Sequence, residues 1–190
     1  MTAPISPVSG ADLASLLEAN LPALRAYARG LCGNISCADD LVQDTFLRAL
    51  ENLHTFDTSR PIRPWLFRIL RNEFLRGARR NWRRMDLTDA ICDRELNTDE
   101  SHGARADAHL MLGLLRELPE DLRDAVSLVL GLGFTYEEAA EVCGVPAGTI
   151  KSRVSRGRAS LVAAFDNRSA DGKAGTGDAQ LAVEEFRLFA

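Results

Sequence analysis

Apolar positions recur with a helical period through the N-terminal half of the chain. Leu16, Leu17, Leu21, Leu24, Tyr27, Ala28 and Leu31 fall three or four apart, and Cys32-Gly33 closes the run. Asp39 is placed to cap a second helix, "DLVQDTFLRALENL", whose inner face reads as Val42, Phe46, Ala49, Leu50 and Leu53. The opposite side carries Asp40, Gln43, Asp44, Leu47 and Arg48. "TFDTSRPIRP" then breaks the helix with two prolines. A third helix is expected from about Trp65, with Leu66, Ile69, Leu70 and Phe74 inward and Arg68, Arg71, Arg76, Arg79 and Arg80 spread over the remaining surface.

The second half has the punctuation of two short helices. In "GFTYEEAAEVCGVPAGTIKSRVSRGRASL", Thr135 and Glu138 make a capping box, and Ala139, Ala140 and Val142 form a small apolar face. Gly144 sits where a left-handed C-cap belongs. Ile150, Val154 and Leu161 share one face of the following helix, leaving Lys151, Ser152, Arg153, Ser155, Arg156 and Arg158 to point elsewhere. Two short helices around a glycine turn, the second cationic outside, predict a helix-turn-helix. The plainer reading is a helical hairpin with a solvated charged face.

Charge adds what periodicity leaves out. The chain's formal net charge of −4 hides strong segregation. Arg60 to Arg84 holds nine arginines against one acid, Glu73, and Asp86 to Asp107 holds seven acids against two bases. Thr149 to Arg168 holds five bases against one acid. Two basic blocks around an acidic stretch predict two modules and a linker. The acidic stretch is expected to pair loosely with both basic surfaces and draw the modules together. A polybasic helix also fits RNA or a membrane surface, but its apolar residues are needed for a bundle core. "DNRSADGKAGTGDAQ" reads as a flexible tail, and "LAVEEFRLFA" after it as a short amphipathic segment.

At 190 residues and 46% hydrophobic, the chain has room for one ordinary domain or two small ones. With no basic-then-apolar leader and no membrane-length apolar run, a soluble cytoplasmic protein is expected. Cys32, Cys37, Cys92 and Cys143 form no CxxC pair, and no histidine stands at ligand spacing from them. No metal, cofactor, small-molecule substrate or catalytic constellation is expected, so the chain is read as a binding protein and not an enzyme.

"ADDLVQDTFLRALENLHTFD", "RPWLFRILRNEF" and "TYEEAAEVCGVPAGTIKSRVSRGRASL", in that order, resemble a bacterial extracytoplasmic-function sigma factor, most like the alphaproteobacterial general-stress-response group. The resemblance runs from about Asp12 to Phe165. It implies an all-α chain of two small helical domains joined by a flexible acidic linker. Expected boundaries are a tail at 1–10, sigma region two at 11–84, linker at 85–108, sigma region four at 109–166 and a tail at 167–190. Core RNA polymerase, through its clamp and flap, promoter DNA and a small anti-sigma protein are the implied partners; no membrane is.

The same resemblance assigns roles residue by residue. Asp40, Gln43, Asp44, Leu47 and Arg48 match the polymerase face. The loop Phe56–Pro64 matches the segment that holds an unstacked −10 base, with Arg60, Arg63, Arg68, Arg71, Arg76, Arg79 and Arg80 gripping DNA beside it. Arg76 departs from the family, which often has Asp there. Lys151, Ser152, Ser155 and Arg156 match positions facing the major groove, where arginine can bind guanine bidentately. Arg153 and Arg158 are better placed for phosphates, and Thr149 for capping or backbone contact. Two other readings stay open: a sigma-mimic adaptor that sequesters an anti-sigma protein, and a stand-alone helix-turn-helix regulator.

Overall fold

A computed structural model describes residues 10–32, 35–85 and 104–170, with side chains over 14–32, 35–77 and 111–167. All regular structure among them is helical. Three helices form an N-terminal bundle: α1 (Gly10–Cys32), α2 (Ile35–Glu51) and α3 (Ile62–Met85). Four more, α4 (Ala104–Glu117), α5 (Glu120–Val126), α6 (Tyr136–Cys143) and α7 (Ala147–Ala170), form a C-terminal bundle. No described helix is long and apolar enough to cross a membrane.

The N-terminal bundle is built by the predicted stripe: Leu24, Tyr27, Ala28, Leu31, Val42, Ala49, Leu66 and Leu70 are all buried. The boundaries differ from expectation in instructive ways. Helix α2 starts a turn before Asp39 because Ala38 is itself fully buried and extends the packed face upstream. Asp39 therefore lies inside the helix, where it pairs with Arg25 at 3.4 Å instead of capping. Helix α3 starts at Ile62, before Trp65, since Pro64 is tolerated in a first turn where N–H groups have no helical partner anyway. Leu50, assigned inward, is 55% exposed, as is much of Leu16. Residues 104–108, expected in the linker, begin α4, and 167–170, expected in the tail, continue α7. The acidic stretch 86–103 and Cys92 lie outside the described residues, as do the side chains of Arg79, Arg80 and Trp82.

The helix-turn-helix forms as the pattern predicts. Thr135 Oγ1 accepts from the Glu138 amide at 3.1 Å, and the Glu138 carboxylate accepts from the Thr135 amide at 2.9 Å. Gly144 takes the left-handed conformation at φ 68° and ends α6. Ile150, Val154 and Leu161 are buried under α7. Gly157 is where α7 crosses α5: a Cβ there would meet Val126 Cγ2 at 2.5 Å, so only glycine permits this approach. Between α5 and α6 a π turn, Ser127–Gly131, carries the chain to Phe134.

The two bundles pack against each other. One core spans both, with Tyr27, Leu66, Phe67 and Leu70 joined to Ala125, Leu128, Phe134 and Val142. A second, smaller core of Met111, Leu114, Leu115, Leu122, Leu161 and Phe165 belongs to the C-terminal bundle alone. Phe67 explains the junction. Helix α3 is apolar on two sides: Leu66 and Leu70 pack within the N-terminal bundle, while the Phe67 ring lies 5.5 Å from Tyr27 and 4.9 Å, edge-on, from Phe134.

Candidate nucleic-acid interface

The polar groups at the junction are as specific as its rings. Asp124 on α5 is 1% exposed. The Tyr27 hydroxyl donates to Asp124 Oδ1 at 3.0 Å, and Arg71 Nε donates to Oδ2. A buried carboxylate is costly unless its oxygens are satisfied, and here the N-terminal bundle supplies both donors to an acceptor on the C-terminal bundle. Around this centre, Arg63 Nη2 donates to the Leu132 carbonyl at 2.7 Å, and its guanidinium lies 4.4 Å from the Phe134 ring centre. Arg60 pairs with Glu141 at 2.6 Å. Three arginines expected to grip DNA thus hold the C-terminal bundle in this arrangement. Sequence reasoning passed over Asp124 and the Tyr27 hydroxyl; the one available signal was an acid set among Leu122, Ala125 and Val126.

Burial shifts two groups here. Tyr27 is pushed well above the usual tyrosine range by burial, then by Asp124. The Cys143 thiol is pushed from 9.0 up to about 11, again mainly by burial and next by Asp124. Both folded-state values lie above the unfolded ones, so the unfolded chain releases protons first as pH rises. Stability is therefore held below pH 9.0 and lost as pH climbs toward about 11. The expected slope is about 1.4 kcal/mol per pH unit for each group while it titrates. Urea unfolding across that range checks it, and Cys143→Ala should remove the part of the slope that begins first; an unchanged profile in that variant would rule out the thiol.

The second arginine group is arranged differently. Arg68 and Arg76 are exposed. Glu73, only 8% exposed, accepts from Arg76 Nη1 at 2.7 Å and faces Arg48 Nε at 3.3 Å. That pairing gives Arg76 a local role at the position where the family often has Asp. Arg48, Asn52, Trp65, Arg68, Asn72 and Arg76 line a polar cleft of about 280 Å³. The preceding loop is pinned: Asp57 accepts from the Ser59 amide at 3.0 Å and hydroxyl at 2.7 Å, which holds its carboxyl below the usual range, and Phe56 packs on Trp65 with ring centres 5.1 Å apart.

On α2, Asp40, Gln43, Asp44, Leu47 and Arg48 are all exposed and share one face. Leu47, at 59%, and the unforeseen Leu50, at 55%, add an apolar patch beside the carboxylates. On α7, Lys151, Ser152, Ser155 and Arg156 are exposed along one side, with Ser152 Oγ bonded to the Thr149 carbonyl at 2.9 Å. Thr149 is half-buried in the first turn. Arg153 departs from expectation. Its side chain is 19% exposed and pairs with Asp121 at 3.2 Å, because position 153 lies next to the buried Val154 on the side facing α5. It does not extend with the other cations. Lys151 Nζ lies 5.5 Å from the Tyr136 ring centre, and Arg158 is half-buried beside a groove.

Residues 16–84 match the Sigma-70 region 2 family and residues 108–161 match Sigma-70, region 4. The chain is 43% identical to the ECF RNA polymerase sigma factor EcfG of Rhodopseudomonas palustris, over 76% of this chain and 80% of that one. The fold is similar to the sigma factor RpoE of Bartonella quintana, solved with the anti-sigma factor NepR, at TM-score 0.68 and 37% identity, covering 78% of this chain and 93% of that one. It is also similar to CnrH, solved with the cytosolic domain of CnrY, at TM-score 0.63 and 28% identity, covering 85% and 93%. With both sigma regions present in order, the chain belongs to the extracytoplasmic-function family of RNA polymerase sigma factors.

Proposed function

We propose that the chain directs core RNA polymerase to one class of promoter in a general stress response, acting in the cytoplasm, and that a small anti-sigma protein holds it in reserve. The observation that carries this reading is the pair of exposed, chemically distinct faces on one chain. The α2 face, acidic and apolar, suits a protein partner; the α7 face, basic and hydroxyl-bearing, suits a duplex groove. Neither a stand-alone regulator nor a sigma mimic needs both. The 43% identity to EcfG and the solved sigma–NepR and CnrH–CnrY complexes support the stress role and the anti-sigma partner.

In this reading residues 11–84 bind the clamp and the −10 element, with the pinned loop Phe56–Pro64 presenting a rigid pocket to an unstacked base. Arg68 and Arg76, with Arg79 and Arg80 further along α3, meet single-strand phosphates. The C-terminal bundle sits on the flap and reads the −35 element. Binding energy to polymerase and DNA offsets the cost of strand opening, and polymerase performs the nucleotidyl transfer. Arg63 and Arg71, partly buried at the junction, become available to DNA only when the bundles part, whereas Arg60 is exposed in a surface pair with Glu141, so the packed arrangement is the form that waits for polymerase.

Run-off transcription with purified core polymerase tests the reading, since only a sigma factor confers promoter-dependent initiation. Asp44→Arg reverses charge on the exposed α2 face. It should alter stability by no more than about 0.5 kcal/mol. It should clearly weaken core binding in a titration; unchanged core affinity would remove the face from the polymerase contact.

A further inference from the structure

The corner between α4 and α5 holds two arginines whose donors are poorly met. Arg116, in the last turn of α4, donates from Nη2 to the Arg29 carbonyl near the end of α1, across the two bundles, at 3.4 Å. Arg123, on α5, donates from Nη2 to the Leu118 carbonyl just past α4, at 3.5 Å. Both bonds are longer than a well-made N–H···O contact, for which about 2.9–3.0 Å is usual. The Nε of each is buried with no hydrogen-bond partner, and these are the two such nitrogens among the described residues. Other half-buried arginines are met: Arg63 by the Leu132 carbonyl at 2.7 Å, Arg71 by Asp124, and Arg153 by Asp121 at 3.2 Å. We propose that Arg116 and Arg123 form a binding site for a small phosphate-type dianion, which completes the seam between α1 and the α4–α5 corner.

Charge selects the ligand. Burial holds the Arg116 guanidinium below the ordinary arginine range, and the neighbouring charge of Arg123 pushes it the same way. Desolvated like charges side by side oppose folding unless something neutralises them. The ends of α1 and α4 offer only the partial negative charge of helix carbonyls. One carboxylate would leave one of the two guanidiniums unmatched, whereas a phosphate dianion matches both. Geometry favours the same class. Each guanidinium is a planar fork of donors, and a tetrahedral oxyanion presents an edge of two acceptors to each. Both side chains are half-buried, so a small ion can reach them from solvent. Because Arg116 reaches α1 from α4, an ion held there joins the bundles and favours their packed arrangement.

The test uses the full chain and inorganic phosphate, with sodium chloride at matched ionic strength as the reference. The Nε–H signals of Arg116 and Arg123 in a nitrogen-15 NMR spectrum, assigned through their own side-chain carbons, report the site directly. Thermal unfolding reports the seam. The expected result is a saturable shift of both signals with phosphate alone, and a melting temperature raised by about 3–5 °C at about ten times the Kd. Arg116→Gln and Arg123→Gln should each abolish most of that rise and the saturable shift of the arginine that remains. Glycerol 3-phosphate separates the two sources of such a group: tighter binding than phosphate assigns a phosphorylated metabolite, and weaker binding the free ion. Signals that stay unmoved in the parent chain would overturn the proposal and leave the two arginines as caps on α1 and α4. Equal shifts in chloride would overturn it as ionic screening. A melting rise that survives in both variants would overturn it too, since phosphate would then act elsewhere.

Discussion

Asp124→Ala should cost about 3–5 kcal/mol and part the two bundles. The carboxylate is 1% exposed and its oxygens take the Tyr27 hydroxyl and Arg71, the bonds that tie α1 and α3 to α5. Truncation leaves a guanidinium and a phenol in the junction with no acceptor, and the penalty of an unpaired buried charge exceeds the net worth of the pair itself. Two further variants separate these terms. Tyr27→Phe removes one neutral donor and should cost about 1 kcal/mol. Asp124→Leu combined with Arg71→Met removes both charges and should recover most of the loss, since a well-packed apolar pair replaces a buried ion pair at little cost. Urea unfolding measures the energies, and X-ray scattering measures the separation. If Asp124→Ala remains as compact and as stable as the parent, the junction is held by Phe67, Phe134 and their neighbours, and the polar centre is incidental.

Arg156→Ala should weaken binding to the correct promoter by about 1–3 kcal/mol, or about 5- to 150-fold, and relax preference at one base pair of the −35 element. Arg156 is exposed on α7, and its Nε donates to the Ser152 carbonyl at 3.3 Å, which leaves the two terminal nitrogens of the guanidinium for a partner. A planar fork held in that way is suited to the two acceptors of guanine. Arg158, lower on the helix and half-buried at the groove, is suited to a phosphate. Arg158→Ala should weaken binding to all sequences by similar factors and reduce the salt slope by about one counterion. Arg153→Ala should leave DNA affinity unchanged, because that side chain is turned toward α5 and paired with Asp121. Affinities over a set of single-base variants at two salt concentrations separate the three. Loss of the same base preference from Arg156→Ala and Arg158→Ala would dissolve the division between reading and positioning.

Much of the local structure was written in residue order. The capping box at Thr135 and Glu138, the left-handed turn at Gly144 and the buried stripe of Ile150, Val154 and Leu161 follow from chemistry within a few residues of each position. So do the α2 face from Asp40 to Arg48 and the apolar stripe of α1, because a period of 3.6 fixes which side chains share a side. The order of the two sigma motifs is likewise a property of the sequence. Periodicity cannot say how many partners a helix has. Phe67 lies one step from the stripe of Leu66 and Leu70, and it is buried only because a second bundle arrives with Phe134. Leu50 belongs to the apolar side of α2 by pattern, yet no described helix covers it, and it is exposed. Arg60, Arg63 and Arg71 are surface cations by every local criterion. Tertiary structure turned them toward Glu141, the Leu132 carbonyl and Asp124, residues 81, 69 and 53 positions away. A charge is placed by the acceptor that can desolvate with it, and that acceptor is found in space, where the chain brings α3 against α5 and α6.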